Sequence, residues 1–283
     1  MLNKNVETFL GCDCDYNDAD IVLFGAPFDS TTSYRPGARF GSRAIRSESY
    51  GLETYSPYQD KDLGDYNVFD SGELELCFGS SESALNTVQQ RTQTILDDGK
   101  LPVMLGGEHL LTLGSVRALL EKYPDLCIIH FDAHTDLRED YLGAPLSHAS
   151  VIRRCWELLG DDRIWQFGIR SGERVEFQWA KSHTNLRPFD FEGLAQAVQA
   201  INGRPVYFTL DLDVLDPAFF CGTGTPEAGG VSFLVLLDAI KTVCTANVVG
   251  CDVMELAPPL DQSGASTALA CKVVRELLLA LNN

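Results

Sequence analysis

The sequence predicts an α/β protein built on a parallel sheet, and three features of the chain support this class. Short runs rich in Val, Ile, Leu and Phe recur along the 283 residues. Each run is followed by a Gly or Asp turn and then by a longer segment with helical spacing, which is the alternation of βα units. Several runs are apolar at every position, as strands buried on both faces of a parallel sheet require.

The elements follow from these patterns in chain order. The apolar runs predict strands over 21–24, 67–69, 102–105, 126–131, 163–167, 206–210 and 248–254. The 3.6-residue spacing of apolar positions predicts helices over 82–98, 111–123, 147–159, 191–201, 233–244 and 265–281. Ser232 stands directly before one of these helices and is its predicted N-cap. We expect the helices to cover both faces of the sheet.

A single domain is expected over residues 1–283. No Ser/Gly linker, low-complexity run or fixed-period repeat interrupts the alternation. A chain of this length can bury roughly 75% of the surface that its unfolded form exposes, which is enough for one large core.

Composition and charge limit the partners and the cellular compartment. The formal net charge of −18 disfavours binding to nucleic acid and to anionic membranes, and it would attract a cationic substrate. No apolar run approaches the length of a membrane span. The nine cysteines include no Cys-x-x-Cys pair, so neither a zinc knuckle nor a disulfide framework is predicted. We therefore expect a cytoplasmic protein that binds neither nucleic acid nor membrane.

Side chains able to bind metal follow three of the predicted strands. They are His109, Asp132, His134, Asp136, Asp211 and Asp213. Within 132–136 and 211–213 they recur at every second position, a spacing that places side chains on one face of an extended backbone. Ligands of parallel sheets gather at the carboxyl ends of the strands, so the three groups are expected to meet.

This set of side chains predicts two divalent cations. Four carboxylates and two imidazoles at the edge of a core repel one another and lose hydration unless they are protonated or bind cations. Two divalent cations would balance four aspartates, and oxygen ligands with two imidazoles suit Mn²⁺. A lone Asp-x-Asp more often forms a turn or a helix cap, but three such groups together favour a metal site with two Mn²⁺ per subunit.

Two neighbouring cations indicate hydrolysis without a covalent intermediate. A water shared between them has its pKa lowered from 15.7 toward neutrality, which supplies a bridging hydroxide as the nucleophile. No Gly-x-Ser-x-Gly motif and no P-loop is present. His148, at a predicted helix start beyond the Asp132 group, is a candidate proton shuttle, although a helix-capping or exposed histidine is the alternative. His130 lies inside a predicted strand and is interpreted as a core residue.

Several ordered motifs resemble those of the ureohydrolase family, which contains the arginases and agmatinases. The resemblance rests on 106–109 (GGEH), 132–136 (DAHTD) and 211–217 (DLDVLDP), and it extends over nearly the whole chain. The segments 36–41, 222–227 and 255–259 look more like agmatinase than arginase.

The resemblance implies a three-layer αβα sandwich around a mainly parallel sheet of about eight strands, in one ureohydrolase domain. It further implies a binuclear Mn²⁺ centre that cleaves a guanidino group to urea and an amine. For agmatinase the substrate is agmatine and the amine is putrescine, which places the reaction in polyamine biosynthesis. Members of the family suggest a homo-oligomer, either a trimer or a hexamer.

Residue roles carried over by position are likewise expectations. Asp132 and Asp211 would bridge both ions, while His109 with Asp136, and His134 with Asp213, would complete one site each. His148, Glu255 and Asp136 are the expected catalytic residues, and Glu255 would bind the guanidinium by two parallel hydrogen bonds. Thr225 would line the same pocket. Without the family, Glu255 reads as an exposed strand-end acid and Thr225 as a turn hydroxyl.

Arg138 leaves the identity of the guanidino substrate undecided. It lies two residues beyond Asp136, where its charge would repel the distal ammonium of agmatine or pair with a substrate carboxylate. A surface arginine paired with Glu139 or Asp140 is the alternative. Hydrolysis of 4-guanidinobutyrate or 3-guanidinopropionate is therefore a second hypothesis. A single-zinc deacetylase on a related fold and a catalytically silent regulator are weaker ones.

Overall fold

The computed structural model describes residues 6–282 and contains an eight-stranded parallel sheet. The strands are β1 Ile21–Ala26, β2 Tyr55–Ser56, β3 Lys61–Asp62, β4 Val68–Glu73, β5 Leu101–Gly106, β6 Cys127–Phe131, β7 Ile164–Ile169, β8 Asn185–Pro188, β9 Val206–Asp211 and β10 Val248–Met254. The order across the sheet is β4-β1-β5-β10-β9-β6-β7-β8, with every neighbouring pair parallel. The short strands β2 and β3 form a separate antiparallel pair.

Helices cover both faces of this sheet, as predicted. They are α1 Gly41–Ser49, α2 Ser81–Asp97, α3 Thr112–Lys122, α4 Val151–Leu159, α5 Arg174–His183, α6 Leu194–Ile201, α7 Phe233–Val243 and α8 Ala265–Leu281. One hydrophobic core joins the sheet to α1, α6, α7 and α8, and a second core joins it to α2, α3, α4 and α5. The three-layer αβα sandwich is therefore confirmed.

All seven predicted strands form, and the continuous apolar runs explain why. Every residue of β1, β6, β7 and β9 is buried, because helices pack on both sides of these strands. Five helices and strands are missing from the sequence-based prediction: α1, α5, β8, β2 and β3. Strand β8 lies at the edge of the sheet, is half-buried or exposed, and ends in a proline, so it carries no continuous apolar run.

Helix starts differ in detail from the predicted ones. The helix predicted over 191–201 begins at Leu194, because Gly193 has a left-handed conformation with φ of 84°. The one predicted from 147 begins with a 3₁₀ turn, His148–Ser150, before α4. Ser232 does occupy the N-cap position of α7, but its hydroxyl accepts no capping hydrogen bond. The predicted N-cap position is thus confirmed, and the buried apolar face of α7, rather than a side-chain cap, holds the helix to the sheet.

The middle of the sheet positions the candidate site. Strands β5, β10, β9 and β6 are consecutive neighbours, and all four run in the same direction. The residues at or just beyond their carboxyl ends are His109, Glu255, Asp211 and Asp132. Among residues 6–282, no helix is both long and apolar enough to cross a membrane.

Candidate metal centre

The first group of candidate ligands surrounds one nitrogen of His109. Its Nδ1 lies 3.0 Å from Asp132 Oδ2, 3.3 Å from Asp136 Oδ2 and 3.3 Å from Asp211 Oδ2. All four residues are buried. Three predicted strand ends therefore meet around a single imidazole nitrogen.

The second group lies around His134 and shares Asp132 with the first. His134 Nδ1 is 3.0 Å from Asp213 Oδ2 and 3.4 Å from Asp132 Oδ1. One oxygen of Asp132 thus faces each histidine, the arrangement expected of a carboxylate that bridges two ions. The structure brings all six predicted ligands into this double cluster.

The local backbone is not the extended one predicted for these segments. Asp136 has a left-handed conformation with φ of 51°, and Asp213 lies in a 3₁₀ turn, Leu212–Val214. A backbone N–H two residues further on donates to the first aspartate after β6 and to the last residue of β9: Asp132 Oδ1 accepts from His134 N at 2.5 Å, and Asp211 Oδ1 accepts from Asp213 N at 2.8 Å. The side chains converge because of these turns rather than by alternation along a strand.

The charges in the cluster fit divalent cations. Within the described chain, the buried Nδ1 of His109 makes no hydrogen bond of acceptable geometry, although three carboxylate oxygens surround it. Burial, followed by repulsion from Asp213, raises the pKa of Asp211 well above its usual range. Burial and then Asp132 raise the pKa of Asp136 to about 6. Cations among these atoms would give Nδ1 a partner and offset the repulsion.

A cavity of about 260 Å³ opens beside the cluster, and its wall includes His134, Asp136, His148 and Thr225. His148 is half-buried at the start of the 3₁₀ turn before α4. Its backbone N–H donates to Thr31 Oγ1 at 3.1 Å, and its Nε2 lies 3.0 Å from Ser33 Oγ. The structure therefore places the predicted shuttle at the wall of the same cavity as two candidate ligands.

Arg138 also lines this cavity, but its partner differs from the predicted one. Its guanidinium donates to Glu173 Oε1 at 2.9 Å and lies 4.8 Å from the centre of the Tyr141 ring. The pairing with Glu139 or Asp140 considered from sequence is wrong, because the loop after Asp136 turns the side chain toward the start of α5.

Glu255 lies beneath the cluster rather than in the cavity wall. Its Oε1 accepts from the backbone N–H of His109 at 2.7 Å, and only 6% of the residue is exposed. Burial and the nearby Glu108 raise the pKa of its carboxyl well above the usual range. Glu255 is not the exposed strand-end acid of the alternative interpretation.

A family model described as the arginase family matches residues 19–280. This chain belongs to the arginase family. Among its relatives, the agmatinase of Bacillus subtilis (strain 168) is 46% identical over 277 residues, which cover 96% of both chains. The agmatinase of Bacillus anthracis is 47% identical over the same share of both chains. The crystal structure of the agmatine ureohydrolase of Thermoplasma volcanium superposes with a TM-score of 0.89 at 32% identity, covering 99% of this chain and 95% of that one.

His130 contributes to the candidate metal centre, although the sequence predicted only a structural role for it. His130 is a satisfied core residue, as predicted, but it also holds Asp132. Gln166 Nε2 donates to His130 Nδ1 at 3.1 Å, so the proton on His130 Nε2 can be donated to Asp132 Oδ2, 2.8 Å away. The signal was present in the sequence, because residues 130 and 132 are two apart at the end of a strand.

Glu176 also supports the candidate metal centre, and no pattern in the sequence predicted this role. It is buried at the first turn of α5 and accepts hydrogen bonds from Thr135 Oγ1 at 2.6 Å and from Leu137 N at 3.1 Å. It thereby holds the loop on both sides of Asp136. The contact joins residues about forty positions apart in a helix that the sequence pattern did not predict.

Proposed function

We propose that this protein is an agmatinase-type ureohydrolase that hydrolyses agmatine to putrescine and urea. The similarity to bacterial agmatinases over almost the full length of both chains carries this proposal. The double cluster of histidines and aspartates supports a binuclear divalent metal centre, and the two groups that share Asp132 disfavour the single-zinc deacetylase hypothesis. The complete set of candidate ligands disfavours the silent-regulator hypothesis.

The proposed metal-binding roles follow the two groups. His109 and Asp136 would hold one ion, His134 and Asp213 would hold the other, and Asp132 and Asp211 would contribute to both sites. Mn²⁺ is the proposed metal because carboxylate oxygens and imidazoles dominate the set. When bound, the two cations would lower the pKa of a water molecule and so supply hydroxide, which is nucleophilic enough for the poorly electrophilic guanidinium carbon.

His148 is the proposed proton shuttle. Its half-buried ring lies at the wall of the same cavity as His134 and Asp136. A neutral imidazole at the cavity wall can accept a proton and pass it to the leaving amine. The backbone bond to Thr31 and the Ser33 contact hold its ring and its turn in place.

Thr225, at the cavity wall, and Glu255, buried beside His109 and outside that wall, are proposed to bind the guanidinium, which requires the guanidinium to reach deeper than the cavity. A carboxylate that accepts two parallel N–H bonds matches the planar cation, and burial strengthens that attraction. Thr225 offers a hydroxyl at the cavity wall. The hydrogen bond from the backbone N–H of His109 fixes the Glu255 carboxyl relative to the metal cluster.

The partner of Arg138 bears on the choice between agmatine and guanidino acids. Because Glu173 already balances the guanidinium charge, the carboxylate of 4-guanidinobutyrate or 3-guanidinopropionate would have to compete with Glu173. Arg138 is proposed to contact the distal part of the substrate as half of this neutral pair. The pairing and the net charge of −18 favour a small cationic guanidino substrate.

Release of urea by the purified, Mn²⁺-loaded protein tests the proposal. The substrates are agmatine, arginine, 4-guanidinobutyrate and 3-guanidinopropionate at equal concentrations. We expect agmatine to have the highest kcat/KM. A higher value for one of the guanidino acids would assign the enzyme to that acid, and urea release from none of the four would reject the proposal.

We further infer a single ureohydrolase domain that assembles as a homo-oligomer, a trimer or a hexamer, acts in the cytoplasm and serves polyamine biosynthesis. The similarity to agmatinases supports this inference. Light scattering of the purified protein measures the assembly, and a monomeric mass would contradict it.

A further inference from the structure

A fully buried chain of hydrogen bonds runs from the metal cluster into the core. His109 Nε2 lies 2.8 Å from Thr209 Oγ1, and Thr209 Oγ1 lies 2.6 Å from Asp252 Oδ1. Thr209 and Asp252 have no exposed surface, and His109 has 1%. The chain thus links the nitrogen of His109 that points away from the cluster to a carboxylate inside the sheet.

Two more hydroxyls hold the far end of this chain. Tyr207 Oη donates to Asp252 Oδ2 at 2.6 Å, and Thr112 Oγ1 donates to the same oxygen at 2.7 Å. With Thr209, three hydroxyl groups face the two oxygens of Asp252 at short distances. Burial raises the pKa of Asp252, and the hydrogen bonds from the three hydroxyls oppose that rise. As a carboxylate Asp252 can only accept, so all three hydroxyls then donate to it.

The direction of each bond follows from counting protons. Thr209 has one hydroxyl proton, and the 2.6 Å contact with Asp252 takes it in preference to Thr112 Oγ1, 3.3 Å away. Thr209 Oγ1 can then only accept from His109, so Nε2 of His109 carries a proton. In the neutral ring, the other nitrogen, Nδ1, is the one with a free lone pair, and it faces Asp132, Asp136 and Asp211.

We propose that Asp252, acting through Thr209, is a positioning residue that fixes the tautomer and orientation of His109 so that Nδ1 binds a metal ion. This inference rests on the proposed metal-dependent function. Neither residue touches the reacting atoms. Outer partners of this type commonly change metal affinity by about 10- to 100-fold.

The test compares Mn²⁺ binding by the metal-free wild type and by Thr209→Val, measured by titration calorimetry and by metal content after dialysis. Valine keeps the shape of threonine and removes the acceptor of the His109 proton. We expect the Mn²⁺ affinity of the His109 group to fall by about 10- to 100-fold. The affinity of the His134 group should fall less. Thr209→Ser keeps the hydroxyl and should restore both affinities.

Thr92→Val is the matched control, because Thr92 is equally buried but its hydroxyl faces Ser115, at 3.2 Å. Circular dichroism confirms that each variant is folded. If Thr209→Val is not, Asp252→Asn carries the test, because an amide no longer demands the Thr209 proton and the same Mn²⁺ affinity should fall, whereas an unchanged affinity would overturn the proposal. Unchanged affinities in folded Thr209→Val would overturn the proposal, as would an equal loss in Thr92→Val or a loss in Thr209→Ser equal to that in Thr209→Val. A wild type that binds no divalent ion would instead reject the proposed metal-dependent function.

Discussion

Two candidate site residues, Asp136 and Glu255, have left-handed backbone conformations, with φ of 51° and 68°. A non-glycine residue in this region costs about 1–3 kcal/mol, and such residues concentrate at functional sites. Here each turn directs a carboxyl group toward His109: Asp136 Oδ2 lies 3.3 Å from Nδ1, and Glu255 Oε1 accepts from the backbone N–H. Hydrogen bonds from Thr135 and Leu137 to Glu176 hold the loop around Asp136 in this conformation.

Replacement of His134 separates the two metal sites. His134→Ala removes a ligand of one ion, so we expect metal content to fall from two Mn²⁺ toward one. Turnover should fall by about 100-fold or more, since the cations supply several kcal/mol of charge stabilisation. Metal analysis and urea release measure both effects. Wild-type turnover at saturating Mn²⁺ would contradict the binuclear centre.

His148→Ala should separate proton transfer from metal binding. We expect turnover to fall by about 10²- to 10⁴-fold, the usual contribution of a general acid or base, while both ions stay bound. His183→Ala is a control, because this histidine pairs with Asp161 in an exposed contact. If His148→Ala lost an ion, His148 would be a ligand rather than a shuttle.

Glu255→Gln tests guanidinium binding without removing the contact to His109, since the glutamine carbonyl can still accept from the backbone N–H. Loss of a hydrogen bond to a charged group costs about 1.5–3 kcal/mol, so kcat/KM should fall by roughly 10- to 100-fold. Steady-state kinetics with agmatine measure the change. Glu82→Gln, in an exposed pair with Arg117, is the control, and an equal effect in both variants would remove Glu255 from the substrate site.

At the scale of elements, the start of α8 is held by Asp261. Its Oδ2 accepts from Ser266 N at 2.8 Å, which satisfies a free N–H of the first turn, and its Oδ1 accepts from Ser263 N at 2.9 Å. Hydrogen bonds from Ser263 and Ser266 hold the pKa of Asp261 well below its usual range. Because Ser266 Oγ in the first turn of α8 accepts from Gly222 N at 2.9 Å, this turn also supports the loop that leads to Thr225.

Asp261→Asn should lower the free energy of unfolding at pH 7 by about 0.5–2 kcal/mol, as loss of a helix-start acceptor does. Because the folded state has the lower pKa, the stabilising contribution of the carboxylate is complete above its unfolded pKa of about 3.9 and is lost as pH falls. The difference between wild type and variant should therefore shrink below about pH 4. Urea denaturation across pH measures it, with the exposed Asp65→Asn as control; a constant difference would contradict this account.

At the scale of the whole molecule, the site joins four neighbouring strands and both layers of helices. The candidate ligands come from the ends of β5, β6 and β9. Glu176 of α5 and the hydrogen-bond chain to Asp252 inside the sheet contact them or their loops. Because these residues are buried together, metal binding and folding should be coupled.

Removal of metal should accordingly destabilise the protein. A bound ligand at 100 times its Kd contributes about 2.7 kcal/mol, and 1 kcal/mol corresponds to roughly 2–4 °C in a domain of this size. We expect a chelator to lower Tm by about 5–10 °C per ion lost and Mn²⁺ to restore it. Calorimetry measures the shift, and an unchanged Tm would contradict a metal centre built into the core.

The sequence by itself predicted the parallel sheet and the residues at its strand ends. Continuous apolar runs are a local signal, and so is the second-position spacing of Asp132, His134 and Asp136. Edge strand β8 and helix α5 lack that signal, because partial exposure allows mixed composition. The predicted extended backbone at Asp136 is wrong because the turn depends on Glu176, which is distant in sequence.

Only the tertiary structure decided which groups face each other. The sharing of Asp132 between two histidines, the pairing of Arg138 with Glu173 and the hydrogen-bond chain from His109 to Asp252 each include a contact between residues at least 23 positions apart. A sequence pattern reports whether a side chain is buried and on which face it lies. The partner of a buried charge depends on strand order and loop geometry, which the folded sheet fixes as a whole.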